Sequence, residues 1–78
     1  MNAFEQLQDT IAVTLKVPPQ SISETTKDED LEAWDSLGHV KLIMAIEQAF
    51  DLYIEVDDFG TLKSVPAILD YLRQAGKA

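Results

Sequence analysis

Ser36 stands where a polar loop gives way to an apolar, helix-like run, in the context LEAWDSLGHVKLIMAIEQAF. The sequence leaves three interpretations of its hydroxyl open. As a helix N-cap, it would bind a free backbone amide of the first turn. As a catalytic nucleophile, it would need a base, and the only histidine, His39, follows three residues later. As an attachment site, it would lie at the positive end of a helix macrodipole, which suits a phosphate ester.

The catalytic interpretation of Ser36 has the least support. The surrounding residues lack the Gly-x-Ser-x-Gly elbow, and a chain of 78 residues is short for enclosing a substrate cleft. On a helical wheel His39 lies towards the core side, which indicates a packed or rim histidine. We therefore expect no catalytic residue. Asp35, next to Ser36, is expected to offer a carboxylate to a modifying enzyme or to its metal.

The composition is that of one small folded domain over residues 1–78. Apolar residues make up 46% of the chain, which predicts a packed core. There is no cysteine for a disulfide or a thiolate metal site, and this fits a reducing cytoplasm. No apolar run approaches the roughly 20 residues of a membrane span, and the N-terminus lacks the pattern of a secretion signal. Both ends lie near predicted helix boundaries, so we expect a free-standing protein, although a domain excised from a longer protein fits the same pattern. We also expect the protein to be a cytoplasmic monomer.

The chain is strongly acidic, with fourteen acids and six bases giving a formal charge of −8. Such a surface repels phosphate backbones, so the charge argues against nucleic-acid binding. It attracts proteins that carry basic patches and accelerates their encounter. The Asp28-Glu29-Asp30 cluster lacks the fuller ligand spacing of a calcium loop, and we interpret it as a solvated acidic turn without a metal.

Apolar residues at spacings of three and four predict a first amphipathic helix from its N-cap, Asn2, to about Leu15. Pro18 and Pro19 are predicted to end it. Residues 16–35 then form a polar loop of a length that is uncommon in compact domains and often functional. The stripe of the helix is Phe4, Leu7, Ile11 and Leu15, and the anchors of the loop in the core are Val17, Ile22, Leu31 and Trp34.

The second predicted helix, Ser36 to Phe50, has two apolar faces, whereas a surface helix normally needs one. The broad face, predicted to be core, consists of Leu42, Ile43, Ile46, Ala49 and Phe50. The narrower stripe is Leu37, Val40 and Met44, with Lys41, Glu47 and Gln48 beside it. This stripe is either further core, if the helix is central in the bundle, or an exposed site for a partner.

The remaining residues predict one short helical turn and one last helix. The turn covers 54–60, with Ile54, Val56 and Phe59 pointing inward and Gly60 ending it. The last helix runs from its N-cap, Ser64, through Val65 to about Gln74, and its buried stripe is Val65, Ile68, Leu69 and Leu72. We therefore predict an all-α fold: a small four-helix bundle of three main helices and one short helix, with a long loop between helices 1 and 2.

The second helix resembles the central helix of acyl carrier proteins. The residues that carry this resemblance are Asp35-Ser36-Leu37, Val40, Leu42 to Glu47, Phe50-Asp51, Ile54, Val65 and Ala67 to Leu72. The similarity is clear from about residue 34 to residue 72 and weaker in the first helix. The Asp-Ser-Leu motif alone is weak support, but with the chain length, acidity and helix order it makes the resemblance specific.

This resemblance implies a carrier function for the chain. A transferase of the holo-acyl-carrier-protein synthase type would attach phosphopantetheine from coenzyme A to Ser36 Oγ, using magnesium held mainly on the enzyme's side. The thiol of the arm would then carry acyl groups as thioesters to partner enzymes, at a high effective concentration. The protein itself would catalyse nothing. The working thiol would arrive with the cofactor, in keeping with the absence of cysteine.

The resemblance also implies two sets of binding residues. Partners would be loading ligases for acyl or aminoacyl groups and synthases or transferases with basic docking patches. The docking residues would be Leu37, Val40, Lys41, Met44 and Glu47. The candidates for lining an acyl pocket are Ile46, Phe50, Ile54, Phe59, Leu62 and Ile68, which are otherwise plain core residues.

Gly38, His39 and Lys41 stand where carriers of fatty-acid synthesis usually have acids after the motif. Gly38 weakens the first turn by up to about 1 kcal/mol relative to alanine. Lys41 places a positive charge in an acidic docking ridge and opposes basic partners. Leu31-Glu32-Ala33-Trp34 also replaces the usual Leu-Gly-x before the motif. These departures favour a specialised carrier over the housekeeping one of fatty-acid synthesis.

Two alternatives remain open on the sequence. An aminoacyl, peptidyl or D-alanyl carrier shares the same fold, and Asp58-Phe59-Gly60 is slightly similar to the D-alanyl type. An unmodified helical adaptor would use only the stripe of Leu37, Val40 and Met44. The identity of the cargo, whether for lipid or secondary metabolism, is not encoded in these patterns.

Overall fold

The computed structural model describes residues 2–78, and this part of the chain contains no strand, only an isolated antiparallel bridge between Lys27 and Ser64. The α-helices are α1 (Ala3–Leu15), α2 (Ser36–Phe50) and α3 (Val65–Gln74). Three 3₁₀ helices lie between them, at Pro19–Ser21, Asp28–Asp30 and Val56–Thr61. The predicted all-α fold is confirmed. None of these helices combines the length and the apolar character that a membrane crossing requires.

Local capping sets the ends of the helices. The Asn2 side chain accepts from the Glu5 amide at 2.8 Å, and Glu5 accepts from the Asn2 amide at 3.1 Å, which forms a capping box. α1 ends at Lys16, whose backbone is left-handed at φ 58°, before the proline pair is reached. Asp51, at φ 53°, ends α2 in the same way.

The core is built from the predicted stripes of all three α-helices together with two loop anchors, Ile22 and Trp34. The other two predicted anchors, Val17 and Leu31, are half-buried against it. α1 contributes Leu7 and Ile11 to this cluster, α2 contributes Leu42, Ile43 and Ile46, and α3 contributes Val65, Ile68, Leu69 and Leu72. Burying such side chains gives most of the stability of a small bundle, at about 1.5–3 kcal/mol each.

Two predicted core residues and one predicted helix end are wrong. Ala49 is exposed at the edge of the buried face of α2, although Phe50 next to it is buried, and the Ala49 carbonyl accepts from the Gln6 side chain at 2.8 Å. Val56 is 71% exposed. Burial increases along the row Val56, Phe59, Leu62 at 3₁₀ spacing, so this helix enters the core only at its C-terminal end. Gly60 lies inside that helix, which ends at Thr61.

The long loop is attached to the start of α3 by backbone pairing. The Val65 amide donates to the Thr26 carbonyl at 2.8 Å, and the Asp28 amide donates to the Lys63 carbonyl at 2.9 Å. Thr26 is buried, and its hydroxyl accepts from the Ser23 amide at 2.8 Å. These bonds give the loop a fixed path to the beginning of α2.

Tyr71 ties α3 to the third 3₁₀ helix, because its hydroxyl donates to Asp58 Oδ2 at 3.2 Å. Burial, and then the bond to Asp58, raises the pKa of Tyr71 above its ordinary value. The unfolded chain therefore loses this proton near pH 10, before the folded chain does. The stability from this proton is complete below that pH and is lost as the pH rises through the folded pKa.

We therefore expect the free energy of unfolding to fall more steeply above about pH 10 in the natural protein than in Tyr71→Phe. Urea titrations of both proteins across this range would measure the difference. The other tyrosine, Tyr53, is present in both proteins and cancels in the comparison. An equal dependence of the free energy of unfolding on pH in the two proteins would contradict this role of Tyr71.

Candidate functional site

Ser36 is the first residue of α2, and the residue before it forms the N-cap. Asp35 Oδ1 accepts from the Gly38 amide at 2.8 Å. The N-cap interpretation of Ser36 is therefore wrong, because the neighbouring carboxylate takes that amide. The Ser36 side chain is exposed, and its hydroxyl forms no hydrogen bond with any residue from 2 to 78. This leaves a free hydroxyl at the positive end of a fifteen-residue helix.

His39 is buried, at 6% exposure, and both ring nitrogens have partners. The Trp34 indole N–H donates to Nδ1 at 2.9 Å, and Nε2 lies 2.8 Å from the Phe59 carbonyl oxygen. Because a carbonyl only accepts, Nε2 must carry the proton and Nδ1 must be bare. No lone pair is left to take a proton from Ser36, so the geometry does not support a Ser36–His39 dyad. The sequence-based expectation of a packed histidine is confirmed.

A cavity of about 470 Å³ opens beside Ser36. Trp34, Val40 and Phe59 supply apolar surface. The lining consists of Asp28, Trp34, Asp35, Ser36, His39, Val40, Phe59, Gly60 and Lys63. The long loop, α2, the third 3₁₀ helix and the segment before α3 all contribute, so only the folded chain assembles it. A group attached to Ser36 would have both apolar surface and charges of both signs beside it.

Gly38 is buried where α2 meets the preceding loop. A Cβ at this position would lie 2.3 Å from the Ala33 carbonyl oxygen and 3.2 Å from a methyl carbon of Leu15. Real Cβ atoms do not approach backbone oxygen so closely. The sequence-based view of Gly38 as a weakening departure is therefore incomplete, because the loop path requires glycine here.

The narrow stripe of α2 faces outward. Leu37, Val40 and Met44 are 65%, 45% and 56% exposed, so the stripe is a surface feature and not further core. Lys41 is exposed beside it. Glu47 is half-buried, and its Oε2 accepts from the Ile54 amide at 2.8 Å, which secures the turn after α2. One oxygen of this predicted docking residue therefore has a structural partner.

The predicted acyl-pocket residues occupy different places. Ile46, Phe50, Ile54 and Ile68 are buried in the core cluster. Leu62 is buried too, and it lines a second cavity near Tyr71. Phe59 alone of the six lines the cavity beside Ser36.

Sequence reasoning missed the bond between Trp34 and His39. A signal for it was available: a buried tryptophan needs a partner for its N–H, and the core-facing histidine follows five residues later. Among residues 2–78, no three acidic or histidine side chains are placed together to hold a metal ion. Asp35 retains one carboxylate oxygen that the cap does not use, and it could join a metal held by another protein.

The chain is similar to known proteins over most of its length. A family profile described as "Phosphopantetheine attachment site" matches residues 5–72. The chain is 40% identical, over the full length of both chains, to an acyl carrier protein of Bdellovibrio bacteriovorus. It is 36% identical to one of Campylobacter concisus over 99% of this chain and 100% of the relative. An acyl carrier protein of Trieres chinensis is 38% identical over 91% of this chain and 89% of its own.

Proposed function

Because the chain belongs to the phosphopantetheine-bearing family of acyl carrier proteins, and carries acyl groups on such an arm, we propose that Ser36 is the attachment residue. The supporting observation is its exposed hydroxyl, which is unpartnered among residues 2–78 because Asp35 caps α2. The arm supplies a terminal thiol that forms thioesters with acyl groups.

The chain's own residues position the Ser36 hydroxyl and supply an electrostatic field that favours this attachment. The N-terminus of α2 favours the phosphodiester charge that forms on Ser36 Oγ. Asp35 holds the first turn through the Gly38 amide and offers its second oxygen to the transferase or to the magnesium of that enzyme. Apolar surface from Val40 and Phe59 lies next to the attachment point.

The protein is proposed to catalyse no reaction of its own and to act as a cytoplasmic monomer that delivers cargo. Its partners would be a holo-synthase type transferase, a loading ligase, and synthases or transferases that use the docking residues on α2. Lys41 is exposed within that surface and repels a basic patch placed opposite it. This charge supports partners other than those of housekeeping fatty-acid synthesis.

Incubating the protein with coenzyme A and a promiscuous phosphopantetheinyl transferase would test the attachment. We expect one phosphopantetheine mass increment, and peptide mapping should place it on the fragment that contains Ser36. No increment, or an increment on another fragment, would refute the proposal.

The exposed stripe of α2 gives a prediction about docking. Val40→Asp places a charge in the middle of an apolar contact, so we expect the KM of the transferase for the carrier to rise about tenfold or more. Steady-state kinetics of loading would measure it. Val13→Asp is the matched control, because Val13 is 78% exposed on α1 and does not line the cavity beside Ser36. Equal effects of the two substitutions would contradict a docking role for the stripe.

A further inference from the structure

The Trp34–His39–Phe59 connection joins three segments that line the cavity beside Ser36. Trp34 belongs to the long loop, His39 to the beginning of α2, and Phe59 to the third 3₁₀ helix. The indole and imidazole rings also stack, with centroids 6.2 Å apart and planes inclined by 24°. Trp34 and His39 are 3% and 6% exposed, so solvent has little access to the bond between them.

The chemistry of the two bonds fixes the state of His39. Nδ1 must be bare to accept from Trp34, and Nε2 must carry a proton to donate to the Phe59 carbonyl. The other neutral tautomer could form neither bond. The doubly protonated ring could not accept from the Trp34 indole at Nδ1. One protonation state of one side chain therefore ties the loop and the 3₁₀ helix to α2.

The bonds of His39 join two elements that both line the cavity beside Ser36. Ser36 and Val40 on α2 line this cavity together with Phe59 and Gly60 of the 3₁₀ helix. The Tyr71–Asp58 bond holds the same 3₁₀ helix to α3, at the second cavity. Loss of the His39 bonds would free the wall next to Ser36 and leave the other attachment intact.

We propose that His39 is a positioning residue for the loading of Ser36. By fixing the 3₁₀ helix and the loop against α2, it holds open the space that the incoming arm enters during transfer. This proposal rests on the assignment of Ser36 as the attachment residue. It adds that the rate of attachment depends on a side chain that does not touch the reacting oxygen.

Four variants separate this role from general stabilisation. His39→Leu removes both bonds, and His39→Gln keeps one acceptor and one donor in a side chain that can replace them. Trp34→Phe removes the N–H donor together with part of the ring volume, and it keeps an aromatic side chain. Tyr71→Phe is the matched control, because it releases the other attachment of the same 3₁₀ helix without altering the Ser36 cavity.

The measurement is the kinetics of phosphopantetheine transfer, at a temperature at which circular dichroism shows each variant folded. We expect His39→Leu and Trp34→Phe to lower kcat/KM about tenfold, mainly through kcat, because the site is less well ordered in the complex. His39→Gln should recover most of the loss, and Tyr71→Phe should load like the natural protein. If His39→Leu does not fold, Trp34→Phe decides the question.

Nitrogen NMR of the natural protein gives a second readout. His39 should show a protonated Nε2, and the Trp34 indole proton should exchange slowly with solvent. The opposite tautomer, a rapidly exchanging indole proton, or normal loading of Trp34→Phe would overturn the proposal. If the natural protein acquires no arm at all, the assignment of Ser36 fails instead, and the NMR result still tests the tie.

Discussion

Replacing Ser36 with alanine should give a folded protein that gains no mass from coenzyme A and a transferase. The loss should be complete, because residues 2–78 offer no other hydroxyl at the first position of a helix beside the cavity of Trp34, Val40 and Phe59. The fold should be little affected. The Ser36 side chain is exposed and its hydroxyl has no partner among residues 2–78, and such surface substitutions usually change stability by less than about 0.5 kcal/mol.

Ser64→Ala is the matched control for this experiment. The Ser64 hydroxyl caps α3 by accepting from the Ala67 amide at 3.1 Å, so its loss should cost about 1 kcal/mol of stability. It does not line the cavity beside Ser36 and should leave loading unchanged. We therefore expect Ser36→Ala to abolish loading with little change in stability, and Ser64→Ala to lower stability with no change in loading. Retention of the adduct in Ser36→Ala, or its loss in Ser64→Ala, would contradict the assignment.

Replacing Gly38 with alanine should destabilise the protein by about 1–3 kcal/mol, although alanine is intrinsically the better helix former by about 1 kcal/mol. The added Cβ would lie 2.3 Å from the Ala33 carbonyl, so the loop or α2 must move. Trp34 follows Ala33 directly, and its bond to His39 should weaken when the loop shifts. Urea unfolding and the exchange rate of the Trp34 indole proton would measure both effects.

Gly60→Ala is the matched control for Gly38→Ala. A Cβ at Gly60 meets no atom of residues 2–78 within 4 Å, and Gly60 lies inside the third 3₁₀ helix. We expect Gly60→Ala to change the free energy of unfolding by less than about 0.5 kcal/mol. A neutral or stabilising Gly38→Ala would show that the path of the loop before α2 differs from that described.

Much of the fold follows from local signals in the sequence. The bounds of α2 and α3, at Ser36–Phe50 and Val65–Gln74, agree with the predicted ones. Apolar periodicity and capping residues act within one or two turns of chain, so they can be interpreted without knowing what packs against them. For the same reason Ser36, at a loop-to-helix boundary, was identifiable as a candidate for modification.

Other features depended on groups that are distant along the chain or on the path of a loop. Periodicity left the stripe of Leu37, Val40 and Met44 as either core or surface, and only the packing of α1 and α3 on the opposite face left it exposed. The same limit applies to Val56, whose exposure depends on how the 3₁₀ helix is inclined to the core.

The sequence by itself determined the three α-helices, most of their core-facing stripes, the acidic charge and the presence of a serine at the start of α2. The tertiary structure decided that Asp35 caps the helix, that Gly38 admits no side chain, and that His39 joins Trp34 to Phe59. The physical reason is the distance along the chain over which each interaction acts. Helix formation depends on neighbours a few residues apart, whereas a free hydroxyl, a steric limit and a buried hydrogen bond depend on atoms that only the folded chain brings together.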